Sequence, residues 1–166
     1  MSLVPFLDLP DHARLWVFPS DRSLTSEEQA QVVTSVEAGL HEWVAHGSPV
    51  HWGHQIVHDQ FLMIGVDESH TALTGCSIDS AVGRIKKLER DLGLSLLDNS
   101  RVFYREQGLV HGVTRSEFKD RIRTGEVTRE TPVFDNVIEK VGEYRKGLWE
   151  IPLAEAWHAR AFSLPQ

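Results

Sequence analysis

The run Phe61-Leu62-Met63-Ile64-Gly65-Val66 carries no polar side chain at any position. A strand with that pattern has no face it can leave in water, so it predicts a central strand covered on both sides. Just before it, His51-Trp52-Gly53-His54-Gln55-Ile56-Val57 reads as a second strand, and the polar link His58-Asp59-Gln60 makes the two a hairpin. Whatever else the chain forms must supply apolar layers to both faces of that hairpin.

The remaining segments alternate in period. Arg14-Leu15-Trp16-Val17-Phe18, closed by Pro19-Ser20-Asp21, predicts a first strand and a turn. Thr25-Ser26-Glu27-Glu28 has the capping-box spacing, and Val33, Val36, Leu40, Trp43 and Val44 recur at helical intervals until Gly47 and Pro49. A second helix is predicted from Ser77, with Ile78, Val82, Ile85, Leu88 and Leu92 on one stripe, Arg84, Lys87 and Asp91 opposite, and Gly93 as the stop. Val102–Arg105 and Leu109–Val113, joined by Glu106-Gln107-Gly108, predict another hairpin. Thr114-Arg115-Ser116-Glu117 opens a short surface helix that Gly125 ends. Pro132 stands where a first helical residue is favoured, and Val133, Val137, Ile138, Val141 and Tyr144 carry a helical spacing to Gly147. The apolar tail 148–166, with Trp149 and Trp157, is expected to pack back on the body.

Strand, helix, hairpin, helix, strand is the β-α-β-β-α-β order of a ferredoxin-like α+β domain, here with an extra strand and C-terminal helices. With 166 residues, the chain is predicted to be a single domain, with a core over about 12–114 and a C-terminal helical extension over about 115–166. One cysteine allows no internal disulfide, the N-terminal residues have no basic leader pattern, and no apolar run approaches a membrane span. The expected location is the cytoplasm, away from membranes. Residues 1–83 hold two Lys/Arg against eleven Asp/Glu, whereas residues 84–129 hold eleven against seven. That basic middle, with Arg84, Lys87, Arg101, Arg105 and Arg115, could meet nucleic acid. The net charge of −7 speaks against it, and the expectation is a solvated face.

The residues nominated for chemistry lie around Leu73-Thr74-Gly75-Cys76-Ser77-Ile78-Asp79-Ser80. A thiol just ahead of a helix faces free backbone N–H groups and the positive end of the helix dipole, which favour a thiolate or a small bound anion. Cys76, Ser77 and Ser80, with Asp67 or Glu68 from the end of the central strand, are the candidate ligand-binding residues, and Cys76 is a candidate nucleophile. No histidine is placed by spacing to serve as its base. The competing structural view makes Cys76 a small buried hydrophobe, Ser77 the N-cap and Asp79 a first-turn acid. His51, His54 and His58 crowd together, but strand alternation sends His51 to the opposite face from the other two, so no metal site is expected. No cofactor is implied.

Leu9-Pro10-Asp11-His12-Ala13-Arg14-Leu15-Trp16, Trp43-Val44-Ala45-His46-Gly47, Gln60-Phe61-Leu62, Val66-Asp67-Glu68 and Gly75-Cys76-Ser77-Ile78-Asp79-Ser80 resemble a family of small bacterial proteins of uncharacterised activity. Its members are sometimes labelled "ABC transporter ATPase". The resemblance covers most of residues 5–120. An ATPase of that kind needs a Gly-rich loop ending in Gly-Lys-Ser/Thr ahead of a helix. The chain has no such tripeptide; Lys146-Gly147 has the reverse order.

These features leave two functional expectations. The first is a non-enzymatic cytoplasmic interaction module, docking an unknown protein or small-molecule partner, or a second copy of itself, through a sheet or helix edge. The second is a small-ligand or thiol-dependent site at Gly75–Ser80.

Overall fold

A computed structural model describes residues 2–41, 50–69 and 75–164, the side chains of 41 and 75–81 excepted. The chain is of mixed α+β class, and no helix among the described residues is long and apolar enough to cross a membrane. Its strands are β1 (Ser2–Leu3), β2 (Arg14–Pro19), β3 (His51–Val57), β4 (Phe61–Asp67), β5 (Val102–Glu106), β6 (Leu109–Val113), β7 (Pro132–Phe134) and β8 (Glu150–Pro152). Its helices are α1 (Ser26–His41), α2 (Gly75–Leu92), α3 (Arg115–Thr124), α4 (Val141–Arg145) and α5 (His158–Ala161).

Among the described residues two four-stranded sheets form, ordered β1-β3-β4-β2 and β6-β5-β7-β8. As its pattern requires, β4 is interior. It pairs antiparallel with β3 and β2, and its residues alternate between two apolar clusters. Leu62, Ile64 and Val66 meet Val32, Val36, Leu40, Ile85 and Leu88 of α1 and α2. Phe61 and Met63 meet Leu15, Val17, Phe103, Phe134 and Trp149 on the side of the second sheet. That sheet sends Val102, Tyr104 and Val133 the other way, onto Phe118 of α3, Leu153 and Phe162. Helices, sheet, sheet and a mixed outer layer thus stack in that order.

Local signals act as expected at several ends. Thr25 Oγ1 accepts from the Glu28 amide at 3.2 Å and Glu28 accepts from the Thr25 amide at 2.9 Å, a complete capping box. Thr114 and Glu117 repeat it for α3, and Gly125, with φ 80°, provides the left-handed stop. The 58–60 link turns through φ 52° at both His58 and Asp59. The α1 stripe is shifted by one residue from its predicted start, since Val32 is fully buried and Val33 only half. Trp43 and Val44 lie outside the described residues.

Three expectations are corrected. The β-α-β-β-α-β order of elements is present as β2-α1-β3-β4-α2-β5. In a ferredoxin-like sheet, however, the last strand would pair with the first, and here β5 pairs with β6 and β7 in the other sheet. A different segment meets the start of β2 instead: Lys140 bridges Arg14, and Leu15 N–H donates to the Glu139 carbonyl at 2.8 Å. Second, the predicted helix from Pro132 to Gly147 forms only over Val141–Arg145. Pro132–Phe134 is a strand between β5 and β8. The helical spacing of Val133, Val137 and Val141 is outweighed because Val133 and Phe134 fill opposite faces of a sheet, with Pro132 at a strand's first position where its missing N–H is tolerated. Third, the C-terminal extension, which carries α3, α4 and α5, also contributes two strands: β7 and β8 complete the sheet that β5 and β6 begin.

A strip without Cβ atoms receives the N-terminal segment. Gly53 and Gly65 pair across β3 and β4. A Cβ on Gly53 would come within 2.7 Å of the Val4 carbonyl, and one on Gly65 within 2.5 Å of Leu9. Phe6 and Leu9 are buried there, and Arg145 clamps the segment by donating to Asp11, to the Leu7 carbonyl and to the Leu9 carbonyl.

Candidate functional site

The nominated site divides into a part outside the described residues and a part committed elsewhere. The side chains of Cys76, Ser77 and Ser80 lie outside the described residues. The backbone nevertheless starts α2 at Gly75. Cys76 is therefore the second helical residue rather than the residue before the helix, Ser77 stands inside the first turn instead of at the N-cap, and Asp79 comes after that turn.

Asp67 ends β4, and its Oδ1 accepts from the Ser69 amide at 3.0 Å and from the Ser69 hydroxyl at 2.5 Å. His12 Nε2 lies 2.5 Å from Ser69 Oγ and 3.3 Å from Asp67 Oδ1. The Ser69 hydroxyl, aided by its amide and by His12, holds Asp67 below the usual carboxylate range. Ser, His and Asp together invite comparison with a hydrolytic triad, in which the imidazole uses one nitrogen for the acid and the other for the nucleophile. Here both partners address the same nitrogen and the serine bonds the carboxylate directly, so the hydroxyl proton is held on Asp67 rather than drawn off by a base. With the His12 side chain 64% exposed, the trio closes the end of β4. Glu68 is 3.9 Å from Arg14. The two carboxylates thus have separate partners.

The other nominated groups are dispersed. His54 meets Glu37 at 2.9 Å, while His58 stacks on Trp149 and lies 2.9 Å from Arg105. Among the described residues no three His, Cys, Asp or Glu side chains are grouped to hold a metal. The basic middle does not form one face. Arg105 makes a bidentate pair with Glu150, Lys87 pairs with Asp91, and Arg115 lies over the rings of Trp157 and Phe162.

A different place for a ligand lies beside β2. A cleft of about 380 Å³ runs along the whole of β2, between that strand and the wall made by Asn136–Glu139, Trp157 and His158. It exists because β5 leaves the first sheet: the outer edge of β2 is met only at its first residues, and past Leu15 the covering chain turns away at 135–138. Trp16, Phe134 and Trp157 give the cleft aromatic surface, and Arg14 and Arg101 give it two guanidiniums. Arg14 lies over the Trp16 ring at 4.6 Å. Arg101 donates to the Gly112 carbonyl and is 3.8 Å from Asp98.

His158 lines the same cleft although it is only 3% exposed, and its Nδ1 has no hydrogen-bond partner. Burial, reinforced by nearby Arg115, holds the imidazole down to about 4, so it is neutral at neutral pH. Asp135, behind the wall, is pushed up by burial although Val137 N–H and the Trp157 indole bond it. Asn136 Oδ1 accepts from the Trp149 indole at 2.9 Å, fixing that part of the wall.

No family model, no curated protein and no solved structure matches this chain. The cleft was not legible from sequence, because its walls come from residues some 120 positions apart and from a segment whose spacing reads as helix. The only available signal was Arg14, Trp16 and Phe18, a strand whose less buried face is large and partly charged.

Proposed function

We propose that the chain is a cytoplasmic, non-enzymatic binding module whose ligand occupies the cleft beside β2. The observation that carries this is the cleft itself: about 380 Å³ with aromatic walls and a few convergent polar groups, which is the usual composition of a binding site. A catalytic alternative at Gly75–Ser80 has less support, since Asp67 and Glu68, its nominated partners, are engaged by Ser69 and Arg14. The β2-α1-β3-β4-α2 unit is read as a ferredoxin-like half in which binding exploits the edge that a fourth strand would cover. A single cysteine fits a reducing compartment.

The test is a fragment screen followed by backbone and indole NMR shifts on the intact chain. Binding should move Val17, Arg101, Asn136 and the Trp16 and Trp157 indoles, and Cys76→Ser should bind the same fragments unchanged. Shifts gathered at Asp67, Ser69 and His12, or fragment binding lost in Cys76→Ser with the fold intact, would overturn the proposal.

A further inference from the structure

The cleft has a directional chemistry that aromatic walls alone do not explain. In an antiparallel ladder, successive residues turn their N–H and C=O groups alternately toward and away from the neighbouring strand. Leu15 N–H donates to Glu139, on the side away from β4, and Ser20 N–H donates to Gln60, at the β4 end of the hairpin. Trp16 and Phe18, opposite Ile64 and Leu62, therefore bond β4, while Leu15, Val17 and Pro19 direct their main-chain groups into the cleft. Val17 N–H and C=O, with the carbonyls of Leu15 and Pro19, are left as a row of one donor and three acceptors. Among the described residues nothing bonds this row.

The edge already accepts a strand where one reaches it. Lys140 bridges Arg14 in antiparallel sense, Leu15 N–H bonds Glu139, and Val141 N–H bonds the Ala13 carbonyl at 3.0 Å. One residue further along, Ile138 N–H turns back on Asp135, the chain leaves β2, and the cleft begins.

We propose that the partner is an extended peptide segment carrying an acidic side chain, which adds to the outer edge of β2 as an antiparallel strand where residues 135–138 turn away. This rests on the cleft being the binding site. Backbone groups with fixed alternation are best matched by another backbone. The acidic residue is called for by Arg14 and Arg101, both lining the cleft, whose ion pairs to Glu68 and Asp98 are long, at 3.9 and 3.8 Å. Guanidinium forks have donors to spare for a further carboxylate. Glu139 at the rim disfavours a second acid. Pro19, with no N–H to offer, ends the row, so recognition covers about five residues of β2, roughly 15 Å of strand. A symmetric β2–β2 pairing of two copies is disfavoured, because the wall of Asn136–Glu139, Trp157 and His158 stands before that edge in each.

The test uses a phage-displayed random heptapeptide library against the full chain, followed by synthesis of an enriched peptide and single N-methylations along it. Enriched peptides should share one Asp or Glu. N-methylation should weaken binding at least tenfold at alternate positions only, the period of a paired strand. Arg101→Gln should weaken the acidic peptide about tenfold and leave its Asp→Asn or Glu→Gln version unaffected. Val17→Pro should abolish binding, since the N–H it removes is the outward one and no bond to β4 is lost, and the N-methyl series reads the same bond should the change of buried side chain keep that variant from folding. Binding indifferent to N-methylation, or loss without period two, would overturn the added strand. No enrichment, with fragments still moving the cleft residues, would overturn the peptide and leave the cleft as a small-molecule site. Enriched peptides that shift Asp67 and His12 instead would remove both proposals, and self-association competing with the peptide would replace it by a second copy.

Discussion

Among the described residues two buried side chains carry polar groups without partners, and they differ in consequence. The Tyr104 hydroxyl is fully buried, stacked near His111 and Phe118, and bonded to nothing. Burial raises its pKa. Removing an unpaired buried hydroxyl relieves its desolvation, so Tyr104→Phe should stabilise the protein by about 1 kcal/mol, a rise of roughly 2–4 °C in Tm by calorimetry. His158 is different because it titrates. Its folded pKa, about 4, lies below the ordinary imidazole value of 6.5, so the unfolded chain binds the proton more readily. The stability this contributes is complete above pH 6.5 and is lost as pH falls from there toward 4. The loss is on the order of 3 kcal/mol across that window. Urea titrations at stepped pH should show the decline, and His158→Phe should flatten it. Glu28 acts in a lower window: Arg22 and the Thr25 cap lower it to about 2, so its contribution fades only below pH 4.5.

The helix ends and the glycine strip are governed by elements rather than single groups. Thr25→Ala removes the acceptor for the Glu28 amide at the start of α1 and should cost about 1 kcal/mol by denaturant unfolding. Gly53→Ala sets a methyl against the Val4 carbonyl and the Phe6 backbone. The N-terminal segment must then move off the sheet, at a cost of about 1–3 kcal/mol, and amide exchange should quicken at Val4, whose N–H now bonds the Trp52 carbonyl at 2.9 Å. Elements with strong local signals were legible in the sequence: both hairpins, the capped α1 and α3, and α2 with its Gly93 stop. The 132–147 segment was not, because a helical repeat of valines and a favoured helical proline gave the same sign as a helix that tertiary pairing replaces.

At the scale of the molecule, the two sheets are held face to face by Phe61, Phe103, Phe134 and Trp149, and by His58 of the β3–β4 turn, which stacks on Trp149 and meets Arg105, itself paired with Glu150 within the second sheet. Trp149→Ala should loosen both sheets together, costing about 3–5 kcal/mol and lowering Tm in one transition, whereas Trp157→Ala, at the partly exposed cleft wall, should spare stability and weaken cleft binding. The candidate site followed the same division as the fold. Asp67 and Glu68 were correctly placed at a strand end, but their partners, His12 and Arg14, come from more than fifty residues earlier and could not be read from spacing. What the sequence determined by itself was local: period, caps, turn residues, and the doubly apolar β4 that demands cover on both faces. Only the tertiary structure decided which strand covers which edge, because apolar burial is non-directional and β5 satisfies it as well in the second sheet as in the first. By choosing the second, it left the edge of β2 open and made the cleft.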